Sequence, residues 1–421
     1  MITNRRTLLA GTGALAAYWG LSAFQDAGAA PAQRRKTLVV VFLRGGADGL
    51  NLVVPWKEER YYRLRRGIAV PRPGEPDGAL DLDGFFGLHP AAAPLEPLFR
   101  AGAAVAVHAV GSARNTRSHF EEQDAWETGL ADSSPSSAGW LNRHLATSSG
   151  DGPIRAISVG GPLPRILRGE AKALAIRGLA DLGASGGQAA AALERAYESA
   201  AGGMEGGADV AERAQPARSL LAADGRATLE ALRVLEKVAG VEDAAPAPYP
   251  PGEFGRRMRD VARLIEADVG LEVAEVDLGG WDTHQDQGGI RGPYHGLVAQ
   301  LAGGIAAFAA DLEGRMDDVL VLTLSEFGRT AAENGTNGTD HGWGSCVLAV
   351  GGAVRAKGAG GARGVIGAWP GLEEEELHQR RDLALETDFR DVIAEVVRGH
   401  LGNERLAEVL PGREPREVGI V

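Results

Sequence analysis

Asp282 and His284 stand two residues apart in the stretch GGWDTHQDQ, just after the apolar run LEVAEVDL (271–278). On extended backbone, positions i and i+2 project to the same side, so this carboxylate and imidazole can reach one ion or one substrate. The same residue types recur where other apolar runs end. TLVVVFL (37–43) leads to Arg44 and Asp48, and AAVAVHAV (103–110) to Thr116, Arg117, Ser118 and His119. DVLVLTL leads to Ser325, Glu326 and Arg329, with Asp340 and His341 following in a loop rich in Gly, Asn and Thr. Carboxylates with imidazoles suit zinc, manganese or iron, and carboxylates alone suit magnesium or calcium. Asp48, Asp282, His284, Glu326, Asp340 and His341 are therefore the candidate metal ligands, enough for one ion and, with sharing, for two.

Each of these residues also has a plain structural use. Asp48 precedes Gly49 as a turn residue would, Asp282 can accept loop hydrogen bonds, and Glu326 can pair with Arg329. Ser118 and Glu121 fit a capping box at a helix start. Yet a hydroxyl at a helix N-terminus beside a metal is an activated nucleophile, because free amides there favour negative charge. Thr116 and Ser118 are equal candidates for that role, with His119 beside them. Arg44, Arg117 and Arg329 are candidates to hold an oxyanion through paired hydrogen bonds. His89 and His108 read as structural, and His144, His295, His378 and His400 as helix-surface or loop residues.

The elements that must position these groups alternate. Strands are expected over 37–43, 103–110, the IRAISVGG stretch, LEVAEVDL, DVLVLTLS and SCVLAVGG. Helices are expected in HPAAAPLEPLFRAG, HFEEQDAWETG, RRMRDVARLIEADVG, roughly 294–314 and DFRDVIAEVVRGHLG. This order predicts an α/β fold with a mostly parallel central sheet. Ligands of such sheets bind beyond the carboxyl ends of the strands, where the polar groups above fall. Residues 170–250, rich in Ala, Gly and Glu, read as two or more helices forming a cap or side insertion outside the main sheet.

With 421 residues, 44% hydrophobic and 24% charged, the composition is that of a globular protein. A net charge of −12 argues against a nucleic-acid partner, which needs a basic face. The first thirty residues carry paired Arg5 and Arg6, a short apolar stretch broken by Gly11, Gly13 and Gly20, and Ala27-Gly28-Ala29 as a small-residue cleavage site. That order describes a twin-arginine export signal over 1–30. It implies the twin-arginine translocase as a partner during export, a periplasmic or extracellular destination, and no stable membrane span in the mature chain. Cys346 is the only cysteine, so no internal disulfide can form.

The stretches FLRGGADGLNLVVP, RSHFEEQ, VDLGGWDTH, LSEFGRT, TDHGWG and TDFRDV together resemble the signatures of a bacterial twin-arginine-exported family of unknown function. That family is grouped with the alkaline-phosphatase-like, or sulfatase-like, superfamily. The resemblance implies one three-layer sandwich over 31–421, with helices on both faces of the sheet and 170–250 as an insertion. It further implies Asp48 as a first-strand ligand, Thr116 or Ser118 as nucleophile, Asp282 and His284 on one metal, and His341 as a late ligand. Where the superfamily often places Asp-His, this chain has Glu326-Phe327, one ligand short of a full two-metal site. The activity implied is hydrolysis of small-molecule phosphate or sulfate esters with a divalent metal, zinc, manganese, calcium or magnesium. The alternative is a non-catalytic exported binding or assembly protein, with an exported partner protein and a structural or vestigial metal.

Overall fold

The computed structural model describes residues 34–130, 137–150, 152–184, 225–241, 247–355 and 364–421, with two isolated positions at 191 and 195. The expected export signal and much of the 170–250 segment lie outside the described residues. In chain order the strands are β1 (Thr37–Arg44), β2 (Val53–Val54), β3 (Leu80–Asp81), β4 (Gly87–Leu88), β5 (Ala104–Gly111) and β6 (Ala156–Val159). They continue with β7 (Leu174–Ile176), β8 (Val273–Gly279), β9 (Val319–Leu324), β10 (Ser345–Gly351), β11 (Val365–Ile366) and β12 (Thr387–Asp388). Nine of them form the central sheet in the order β11-β5-β10-β9-β1-β8-β6-β7, with β12 also on β5; β2, β4 and β3 make a small separate sheet.

The central sheet is mostly parallel, as the alternation of elements predicts. β1 pairs parallel with β8 and β9, setting Val40 opposite Glu275 on one side and Leu322 on the other. Among the described strands of this sheet, only β10 opposes its neighbours, β9 and β5. The run TLVVVFL shows no polar alternation because both of its faces are buried. Val39, Val41 and Leu43 pack with Met258, Leu301 and Phe308 from the Glu253–Glu266 and Pro293–Asp311 helices. Leu38, Val40 and Phe42 share the opposite core with Trp126, Trp140 and Phe389, from the His119–Thr128, Trp140–Thr147 and Phe389–Glu395 helices.

The described part of 170–250 departs from expectation. β7 belongs to the main sheet as its edge strand, parallel to β6. The helix over 225–239 buries Ala231, Leu235 and Val238 in the same core as Met258 and Phe308. A three-residue strand in an Ala-rich stretch leaves no period to detect, so the segment reads as outside the sheet.

His144 and His400, expected on the surface, are instead buried. Burial pushes both imidazoles, and those of His89 and His108, down to about 4. The sign follows from linkage. As pH falls below about 6.5 the unfolded chain takes up protons that the native one refuses, so stability is lost between about 6.5 and 4 and is unaffected above that window. Each such histidine removes about 1.4 kcal/mol per pH unit inside it. Urea unfolding of His108→Gln is expected to show a pH dependence shallower by about one proton than the unsubstituted chain. Equal slopes would mean that His108 is not held neutral.

Candidate metal centre

The polar groups meet at the carboxyl edge of β1, β8 and β9. Because β10 runs against its neighbours, the loop entering it reaches the same edge as the loops leaving the parallel strands. That loop delivers Asp340 and His341. Gly45 and Gly46, at φ +122 and +73, let the chain leave β1 against these loops. A Cβ at Gly45 would stand 2.5 Å from the Asp282 amide nitrogen, and one at Gly46 2.5 Å from the Phe327 ring.

Three ring or carboxylate atoms form a near-equilateral triangle. His284 Nε2 lies 3.0 Å from Asp282 Oδ1 and 3.0 Å from His341 Nε2, and His341 Nε2 lies 3.1 Å from Asp282 Oδ1. Adjacent ligands about 2.1 Å from one cation are separated by about 3.0–3.4 Å, so the triangle has the size of a coordination face. His119, the first residue of its helix, brings a fourth donor. Its Nε2 is shielded from solvent, has no hydrogen-bond partner, and stands 3.4 Å from Asp282 Oδ2. Ligand atoms of His119, Asp282 and His341 all lie within 4.8 Å of one another.

Each of the three imidazoles is held from behind through Nδ1. His119 donates to Glu326 Oε1 at 2.8 Å, His284 to Asp340 Oδ1 at 3.0 Å, and His341 to the Arg117 carbonyl at 2.8 Å. Metal-bound histidines are characteristically anchored this way, which fixes the tautomer with its free lone pair inward. Glu326 is fully buried and also accepts from the Gly45 amide and Gln123 Nε2. Arg329, equally buried, donates to the carbonyls of Gly45, Gly46, Trp281 and Thr339 and to Asp282 Oδ1 at 2.6 Å, so one guanidinium joins three loops. The cluster itself faces solvent, with Asp282, His284, His119 and His341 side chains 47, 39, 26 and 23% exposed. Two broad clefts among the described residues lie elsewhere, one near β7 and the 225–239 helix and another along Glu253–Glu266.

The titration behaviour follows the same contacts. Partial burial works against ionisation of Asp282, but the hydrogen bond and charge of Arg329, with His341 and His284, outweigh it and bring its carboxyl to about 2. The Glu326 hydrogen bond raises His119, and burial lowers His341. His284 beside Asp340 holds that carboxyl below its usual value.

Of the six ligand candidates, Asp282, His284 and His341 come together. Glu326 and Asp340 stand behind histidines, not among the facing atoms. Asp48 is elsewhere: buried, it accepts from Arg65 at 2.6 Å and Gln287 at 2.7 Å. The arginines expected to hold an oxyanion all have acid partners. Arg44 pairs with Asp277 and Glu127, both at 2.6 Å, Arg329 as above, and Arg117 with Asp382 at 2.6 Å. Ser118 occupies the N-cap, but its hydroxyl makes no cap hydrogen bond, so the capping box does not form. Glu122, one residue beyond the expected Glu121, reaches back instead and accepts the Thr116 amide at 2.7 Å. Thr116 is exposed. His119, grouped by sequence with the hydroxyls, belongs with the imidazoles. The signal missed was an imidazole at the first position of a helix that starts at the carboxyl edge.

Fold and site together define an α/β protein with a histidine- and carboxylate-lined candidate metal centre. A family model described as "Protein of unknown function (DUF1501)" matches residues 99–408, and the chain belongs to that family. The matched span contains all four residues of the cluster and their outer partners. A comparison with curated proteins finds no match. No described helix is long and apolar enough to cross a membrane.

Proposed function

We propose that this protein is a metal-dependent hydrolase of phosphate or sulfate esters, built on an alkaline-phosphatase-like domain and exported by the twin-arginine route to the periplasm or beyond. One observation carries the reading: three imidazoles turn Nε2 toward one carboxylate while an oxygen holds each Nδ1. Neutral rings so anchored point lone pairs at one another and at a carboxylate, which repel unless a cation lies between them. Three nitrogens and a carboxylate suit zinc, manganese or iron better than calcium or magnesium. Such an ion would polarise a phosphoryl or sulfuryl oxygen of the ester.

The chain's own groups supply the rest. Glu326, Asp340 and the Arg117 carbonyl fix the rings, and Arg329 fixes Asp282. The Ser118 hydroxyl, unused as a cap, and that of Thr116 are the nucleophile candidates on the loop entering His119. As one of them formed a new oxygen–phosphorus or oxygen–sulfur bond, the bond to the ester oxygen would break and the hydroxyl proton would pass through solvent to the departing alcohol; water would then cleave the enzyme ester, restoring the hydroxyl and releasing phosphate or sulfate.

Elemental analysis of chelator-free protein is expected to find about one equivalent of zinc, manganese or iron, and added metal to raise the melting temperature. The loaded protein should then turn over p-nitrophenyl phosphate or sulfate. Absence of any metal binding overturns the reading. Metal without turnover leaves the binding or assembly role.

A further inference from the structure

Resting on that hydrolase reading, we infer that Arg117 and Arg381 form a clamp for an anionic group of the substrate, so that the site takes phosphate or sulfate monoesters and not neutral esters. The two guanidiniums share one buried carboxylate. Asp382 Oδ2 accepts from Arg117 Nε at 3.1 Å and Nη2 at 2.6 Å, and its Oδ1 accepts from Arg381 Nε at 2.9 Å. Two cations on one anion leave one positive charge over. It is not sealed in the core, because the Arg117 and Arg381 side chains are 24 and 46% exposed.

Both arginines are tied to the same member of the metal cluster. His341 Nδ1 donates to the Arg117 carbonyl, and the His341 carbonyl accepts from Arg381 Nη2. The Arg117 backbone and the Arg381 guanidinium thus both meet His341. Gln379 Oε1 takes a further Arg117 N–H at 2.8 Å, and the Trp343 ring lies 5.5 Å from its Cζ, so the guanidinium plane is fixed. Among the described residues, Nη1 of neither arginine meets a hydrogen-bond acceptor, the bonds being made by Nε and Nη2. Arg44 and Arg329 do not compete for the role, since two carboxylates balance Arg44 and Arg329 is buried. Among the groups named, Asp282, Glu326, Asp340 and Asp382 face Arg117, Arg329 and Arg381; a divalent cation turns that small negative balance positive. A local positive site on a chain of net charge −12 selects anions by position, not by overall attraction.

The test uses the full metal-loaded chain and its Arg381→Gln, Arg117→Gln and Arg381→Lys variants. Calorimetry with inorganic phosphate and sulfate gives a readout independent of turnover, and kinetics with p-nitrophenyl phosphate and sulfate give the second. Arg381→Gln is expected to weaken binding of the preferred anion roughly 10- to 100-fold. It should raise KM for the matching ester by the same factor, with metal content and fold retained. Arg381→Lys should recover only part, since a lysine restores charge without the planar fork. Anion binding that depends on Arg381 without ester turnover would keep the clamp and remove the hydrolase. Turnover at unchanged KM and unchanged anion binding in both glutamine variants would remove the clamp and keep the hydrolase. Failure of the unsubstituted protein to bind either anion overturns the clamp outright.

Discussion

Asp282→Ala is expected to empty the metal centre and take ester turnover to background while the chain still folds. Asp282 Oδ1 is the vertex shared by His284, His341 and Arg329, and Oδ2 faces His119. Its removal deletes the only carboxylate on the facing side among the described residues, and Glu326 and Asp340 cannot substitute because they are turned to the back of the rings. The loss should exceed the roughly 10- to 100-fold that outer partners are worth. Glu326→Gln supplies that comparison, since it keeps an oxygen near His119 but removes the charge behind the ring. Arg329 retains four carbonyl acceptors without Asp282 but loses its charged partner while fully buried, so the metal-free variant should melt below the metal-free parent and metal loss is judged against that lower baseline. Competition with a coloured chelator measures the affinities. Wild-type affinity in Asp282→Ala would sink the centre as described. Acid should strip the metal through the histidines first, because the Asp282 carboxyl stays ionised down to about 2. With a depressed native value, its contribution to stability is present above the unfolded value near 4 and lost as pH falls through 2.

What was legible in the sequence was the frame. Long apolar runs gave up β1, β5 and β9, because a strand buried on both faces has no other way to look, and β8 was read from its apolar residues around Glu275 and Asp277. The Asp-x-His pair and Asp340-His341 pointed to the right edge of the sheet. Roles within that edge were not legible. A ligand, the partner behind a ligand and one half of an ion pair are written with the same residue types, and the side on which Glu326 meets His119 depends on how a helix from another part of the chain lands. The direction of β10 was hidden too, although it brings His341 to Asp282. Arg381 and Asp382 carry no motif that singles them out in the sequence, and only packing against His341 gives them meaning.

Asp48 is the sharpest case of a residue whose type and place suggested one role and whose surroundings show another. Asp48→Ala should destabilise the protein by about 3–5 kcal/mol, because it leaves the Arg65 guanidinium without a counter-ion in the interior. Asp48 is 1% exposed and Arg65 0%, and their closest approach is 2.6 Å. Arg65 would keep Asn51 Oδ1 and the carbonyls of Thr330 and Ala331 as acceptors, but none of these is charged. A double variant, Asp48→Ala with Arg65→Met, should recover part of the loss, since removing both charges also removes their desolvation cost. Denaturant unfolding measures both. The metal should stay bound in the surviving native fraction, weakened by no more than the roughly 10- to 100-fold of an outer partner. Even that effect has a route: Gln287, which donates to Asp48, accepts from Thr283 and Thr339, the neighbours of Asp282 and Asp340. Asp48 thus supports the metal-bearing loops from inside the fold. Loss of metal with unchanged stability would instead make it a ligand, as the first-strand pattern implied, and would require the loop after β1 to turn its carboxylate away from Arg65.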